Sequence, residues 1–167
     1  MTTGPATVRD LLEARAMEHG ERTFAILPDA TLSYRDLDDL ADRIALVLLD
    51  LGFGAGDIVM VRAPNGWATM AAWFGCNKLG AVYLPLNALL TGEPLRQVMA
   101  HSRGRIVIVD HTLVEDVEAV REGLPDLTTV IVAGGPQGKH LRLEDLLDRS
   151  AGGLVPALVD DVAAPTK

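Results

Sequence analysis

The 167 residues contain one cysteine, four histidines, two tryptophans, two tyrosines and three phenylalanines, and their positive charges are sparse. The lone thiol, Cys76, has no second cysteine with which to close a bridge, so no internal disulfide supports the fold, and a reducing compartment fits best. His19, His101, His111 and His140 are dispersed, with none of the HxH, HxxxH or HxxE spacings that present ligands to a metal on one face of an element. Metal binding is not expected. Fifteen Lys and Arg are scattered among 23 Asp and Glu, giving a formal charge of −8 and a pI near 4.9, which excludes the clustered basic face that a nucleic-acid partner requires. No stretch approaches the ~18 apolar residues of a membrane span. The first twenty residues, MTTGPATVRDLLEARAMEHG, have neither the apolar core of a secretory signal nor the Arg-rich amphipathic character of a transit peptide. A soluble, cytoplasmic protein is the expectation.

Hydrophobic residues are plentiful, at 49%, and at this length they suffice for the core of one domain. Val8, Leu11, Leu12 and Ala16 share one face of a helix predicted over 7–19, with Gly20 as its stop. Two β-prone pieces, 23–27 and 31–33, flank Pro28-Asp29 and predict a small hairpin. Ser33 stands three residues before Asp36, a helix-start signature, and the apolar spacing from Leu37 to Leu48 carries that helix to about Leu51, where Gly52 and Gly54 can supply a positive φ. Beyond it, strands at 57–61, 81–84, 106–109 and 129–132 alternate with helices at 67–79, 93–102 and 113–122, and a last short helix covers 143–149. Short apolar strands alternating with helices predict an α/β fold: a mostly parallel sheet with helices on both faces, plus the small N-terminal hairpin. The Ala-, Gly- and Pro-rich segment 151–167 reads as an exit loop.

Ligands of open α/β sheets gather at the carboxyl ends of strands. In this chain those positions are Arg62 and Asn65, Asn87, Asp110 and His111, and Gly134 to Lys139. GGPQGKH, Gly134 to His140, is no phosphate loop, because only three residues separate Gly134 from Gly138 and His140 stands where a Ser or Thr would bind the metal. It predicts a surface turn. Asp110 invites comparison with the phospho-acceptor of receiver domains, but the segment Pro28-Asp29-Ala30 offers one acid where a receiver needs a pair; Asp110 is expected to cap the next helix. Cys76 lacks a neighbouring His or basic group and is expected to pack in the core. Pro64 and Asn65-Gly66 punctuate the end of one strand, and Pro85 the end of another. Arg62 is expected to hydrogen-bond a loop or helix end, Trp73 to pack in the core, and Lys78 to interact with the C-terminal dipole of its helix. No catalytic, cofactor-binding or metal-ligating residue is assigned.

NKLGAVYLPLN, Asn77 to Asn87, resembles the early core motif of adenylate-forming enzymes, the superfamily of acyl-CoA synthetases, peptide-synthetase adenylation domains and luciferases. TLSYRDLDDLADRIALVLLDLGFGAGDIVMVRAPN is similar to that family's entry helix, Gly-x-Gly-Asp turn and first buried strand, and EPLRQVMAHSRGRIVIVD to its next helix and strand. The likeness covers roughly residues 7 to 165, and Asn87, in place of the Asp usual in adenylation domains, is more like the acyl-CoA synthetases. The resemblance implies a complete enzyme in which a carboxylate attacks ATP to form an acyl-adenylate, with magnesium screening the phosphates, and coenzyme A then displaces AMP. It also implies that residues 1–167 form a single N-terminal α/β subdomain of that enzyme. Segment 151–167 would lead toward the phosphate loop, and the ATP-binding and catalytic residues would lie in the remainder of the same enzyme. No cofactor is then expected for this chain alone. The alternative is a stand-alone α/β module that binds a partner and performs no chemistry.

Overall fold

The computed structural model describes residues 7–28, 30–136 and 138–150. The expected exit segment 151–167 lies outside them, as does Asp29 in the expected hairpin turn.

Helix α1, Val8–His19, and helix α2, Tyr34–Asp50, both start with a reciprocal cap. The Thr7 hydroxyl accepts from the Asp10 amide at 3.1 Å, and the Asp10 carboxylate accepts from the Thr7 amide at 3.0 Å. Ser33 and Asp36 repeat the arrangement at 3.1 and 2.9 Å. Each box satisfies amide donors that a first helical turn otherwise leaves unpaired. Between these helices β1, Thr23–Ile26, and β2, Thr31–Ser33, form the antiparallel hairpin. Gly20 ends α1 with right-handed geometry, φ −45°, so it is required for space: a Cβ there would lie 2.8 Å from the Ala16 carbonyl oxygen.

The remainder winds as β3 (Ile58–Arg62), α3 (Trp67–Leu79), β4 (Val82–Pro85), α4 (Gly92–Ser102), β5 (Ile106–Asp110), α5 (Val114–Val120), β6 (Thr129–Ala133), β7 (Leu141–Arg142) and α6 (Leu143–Arg149). Five strands pair in the order β4-β3-β5-β6-β7, and every pairing is parallel. Residues alternate between the two faces. Val59, Val61, Ile106 and Ile108 pack under α2, α3 and α6, while Met60, Val107 and Val109 pack against α4 and α5. Helices therefore cover both faces, as the unbroken apolar strands require. A third cluster of Leu12, Leu32, Leu37, Ala41 and Phe74 seats α1 and the hairpin on α2 and α3.

The structure departs from the sequence expectations at several points. Positive φ after α2 occurs at Gly52 (+81°) and Gly56 (+83°), and not at Gly54, whose amide instead donates to Asp57 Oδ2 at 2.8 Å. Pro85 is included in β4, because β4 is an edge strand paired only with β3, and its outer side makes no ladder bond that a missing amide would break. The helix expected over 113–122 is shorter and closes in a 3-10 turn, Arg121–Gly123. Strand β7 has two residues and carried no periodic signal. Helix α3 packs tightly on α2 because Gly75 removes a side chain at the crossing: a Cβ there would stand 2.5 Å from Ile44 Cγ2.

Candidate functional site

Three strand ends converge on one cleft. β3 delivers Ala63 to Gly66, β5 delivers Asp110 and His111, and β6 delivers Ala133 and Gly134; with Trp67 and Ala68 from the start of α3 they line a space of about 140 Å³. The structure therefore brings Asn65, Asp110, His111 and Gly134 together, all at positions the strand-end rule singles out. Asn87 is elsewhere. Its Oδ1 accepts from the Leu89 amide at 2.9 Å in the loop between β4 and α4. Lys139 turns away toward α5, where its ammonium pairs with Glu118 Oε2, 2.5 Å away, and His140 Nε2 lies 3.2 Å from the other oxygen of that carboxylate. The hydrogen bond from Lys139 holds the Glu118 carboxyl below its ordinary pKa. Gly134 and Gly135 take φ of +74° and +70°, so the turn reading of this segment holds for the described residues; Gln137 lies outside them.

The cleft walls are held by local bonds. Asp110 Oδ1 accepts from the Thr112 amide at 2.9 Å and from the Thr112 hydroxyl. This corrects the expectation that Asp110 caps α5: the cap position is Leu113, with no side-chain hydrogen bond, and the Asp110 side chain closes a turn two residues long. His111 is 3.6 Å from the Asp110 carboxylate and packs on Gly135, where a Cβ would approach its ring to 2.7 Å. The Thr112 hydroxyl donates to Asp110 Oδ1 and so closes the turn that shapes this wall. A far larger groove, about 930 Å³, lies along edge strand β4 and α4, lined by Ile58, Val82, Leu84 and Val98 among others. Its strand residues come from β3 and the edge strand β4, and it includes none of the convergent strand-end groups.

Three further residues complete the account. Arg62, the last residue of β3, is wholly buried, and its guanidinium donates to the carbonyls of Leu113 (2.9 Å), Leu90 (2.6 Å) and Ala88 (3.1 Å) and to Asp116 Oδ2 (2.8 Å). A loop and helix-end role for Arg62 is thus what the structure has. Trp73 is 41% exposed, contrary to the expected core position, with its ring centroid 4.7 Å from that of Phe74. Lys78 is 3% exposed and is a tie to other helices, not a dipole partner of its own: Nζ is 2.7 Å from Asp38, 2.5 Å from Asp42 and 3.7 Å from Glu13. No single-sequence signal marked Lys78 or the multiple acceptors of Arg62, since each depends on helices and loops 26 or more residues away. Cys76 is buried as expected, and burial pushes its thiol up to about 12.

A family model for AMP-binding enzymes matches residues 12–164. The chain belongs to the AMP-binding enzyme family. The chain is 34% identical over 135 residues to an indoleacetate–CoA ligase of Aromatoleum aromaticum, an alignment covering 81% of the chain and 26% of the relative. It is 32% identical over 128 residues to a Streptomyces protein named salicylyl-CoA synthase and salicylate adenylyltransferase, covering 74% of the chain and 23% of that protein. Among solved structures, an anthranilate CoA ligase in complex with anthranoyl-AMP superposes with a TM-score of 0.82 at 26% identity, over 86% of this chain and 28% of that one. The chain therefore spans about a quarter of the length of these relatives.

Proposed function

We propose that this chain is the N-terminal α/β subdomain of an acyl-CoA ligase. The complete enzyme activates a carboxylic acid as its acyl-adenylate with ATP and passes the acyl group to the thiol of coenzyme A. The observation that carries the proposal is the likeness, over most of this chain and about a quarter of theirs, to named CoA ligases, one of them bound to an acyl-adenylate. Asn87 after Pro85-Leu86 supports the CoA-ligase branch. The strand-end cleft of about 140 Å³ is by itself below the ~300 Å³ at which small-molecule pockets begin, which supports a site completed by further residues. No step of the reaction is therefore assigned to a residue of this chain, which serves as scaffold and as one wall of a site completed elsewhere in the same polypeptide. The cytoplasm is the compartment supported by a buried, unbridged Cys76.

The test takes the reading frame that continues past Lys167 and assays the whole product for acid-dependent release of pyrophosphate, then for a CoA thioester. Both are expected. In parallel, calorimetric titration of the 167-residue chain with ATP and magnesium, with AMP and with coenzyme A is expected to give no heat. A whole product inert toward a panel of aromatic and aliphatic acids, or a frame that does not continue, overturns the proposal in favour of a stand-alone binding module.

A further inference from the structure

We propose that Arg62 is the positioning residue of the sheet's carboxyl edge. Its guanidinium sets the loop after β4 and the loop after β5 in register with the end of β3, and so fixes the separation of the two walls of the cleft. Four acceptors meet this one side chain, three of them backbone carbonyls: Ala88 and Leu90 from the first loop and Leu113 from the second, with the Asp116 carboxylate from the first turn of α5. The Ala88 and Leu90 carbonyls belong to a loop outside the helical and strand ladders, where a backbone acceptor must find another donor, and Leu113 is the N-cap of α5, whose carbonyl has a second lone pair for Arg62. Arg62 directly precedes the Ala63–Asn65 wall, and Leu113 follows His111 of the opposite wall by two residues. A rotation of the guanidinium therefore moves both walls relative to one another.

Only arginine suits the position. The planar fork reaches several acceptors in fixed directions, whereas a lysine ammonium is a single point with three donors on a flexible stem. The charge is wholly buried against a carboxylate whose side chain is 35% exposed, so the arrangement persists only while the carbonyls complete its solvation. Edge strand β4 pairs with β3 alone, and the loop that follows it is tied to the β3 end by the Leu86 amide, which donates to the Val61 carbonyl at 2.8 Å, and further along by Arg62.

The inference rests on the strand-end cleft being the functional edge, but its test needs no nucleotide, so its failure and that of acyl-CoA ligation are separable. Amide hydrogen exchange of the 167-residue chain is followed by NMR in Arg62→Lys, Asp116→Asn and Val117→Ala. The informative amides are Leu89 and Leu90, bonded to Asn87, and Thr112 and Leu113, bonded to Asp110. Arg62→Lys is expected to speed exchange at all four by about tenfold or more while Ile44 and Ile131 in the opposite layer change by less than about threefold. Asp116→Asn is expected to act on Thr112 and Leu113 alone. Val117→Ala, a plain loss of core packing, is expected to speed the slow core amides together. Unchanged rates at the four loop amides, or uniform acceleration in Arg62→Lys like that of Val117→Ala, overturns the proposal. Should Arg62→Lys fail to fold, Asp116→Asn decides by the same local-against-uniform criterion.

Discussion

Cys76 shows how burial sets the chemistry of one residue. The side chain is 0% exposed among Ile44, Ala72 and Leu79 and their neighbours, and loss of water raises its pKa from 9.0 to about 12. A thiol whose folded pKa exceeds its unfolded value binds its proton more tightly when folded, so stability falls as pH rises from 9 toward 12. The slope from this one group approaches about 1.4 kcal/mol per pH unit once the unfolded thiol is ionised. Urea unfolding of the wild type between pH 8 and 11 is expected to show that decline, and Cys76→Ala to remove the part that begins near pH 9. Burial also raises the Tyr83 phenol, so a decline above pH 10 remains in the variant. Equal slopes in the two proteins would refute the assignment. The apolar setting of Cys76 was legible in its sequence neighbours, because residues one turn away on a buried helix share its surroundings.

At the scale of elements, the tie between α1, α2 and α3 combines a small apolar cluster with a charge. Lys78 on α3 faces Asp38 and Asp42 on α2 and Glu13 on α1, and Glu13 is also paired with Arg9 at 2.9 Å. Burial alone lowers the Lys78 pKa, but the Asp38 and Asp42 carboxylates more than offset it and hold it above 10.5. Its contribution is thus present in full below pH 10.5 and lost only above. Asp42 is shifted upward, by burial first and then by the neighbouring Asp38 and Glu13 charges, against the lowering pull of Lys78. Lys78→Met keeps the stem and deletes the charge. Removing one partner of a fully buried pair costs about 3–5 kcal/mol. Here the carboxylates are 21–38% exposed and rehydrate, so a loss of about 1–2 kcal/mol is expected, read as a lower urea midpoint at unchanged slope. An unchanged midpoint would mean that desolvation cancels the attraction. The helix ranges were legible from caps and spacing, whereas this tie was not: a lysine two residues before a terminal glycine has the same local pattern whether it meets solvent or a second helix.

For the whole molecule, one parallel sheet joins two helical layers, with Ile106 and Ile108 facing α2 and α3 and Val107 and Val109 facing α4 and α5. Each strand of the centre belongs to both cores, so neither layer can open without exposing the other's floor. Both tryptophans, Trp67 and Trp73, lie on α3 and report one layer, while far-UV circular dichroism reports all helices. Their urea transitions are expected to coincide, as two-state unfolding requires. A fluorescence midpoint below the dichroism midpoint would show that the α3 layer separates from the sheet. Periodicity, capping residues and turn chemistry depend on near neighbours in the chain, and so the sequence by itself determined the order of elements, the α/β class, the hairpin and the family resemblance. Strand order, the two-residue β7, the meeting of Asn65 with Asp110 and His111, the separation of Asn87 from them, and the burial of Arg62 and Lys78 were decided by tertiary structure alone. Each depends on contacts between segments far apart in the chain, whose partners are chosen only when the sheet closes and its two faces are covered.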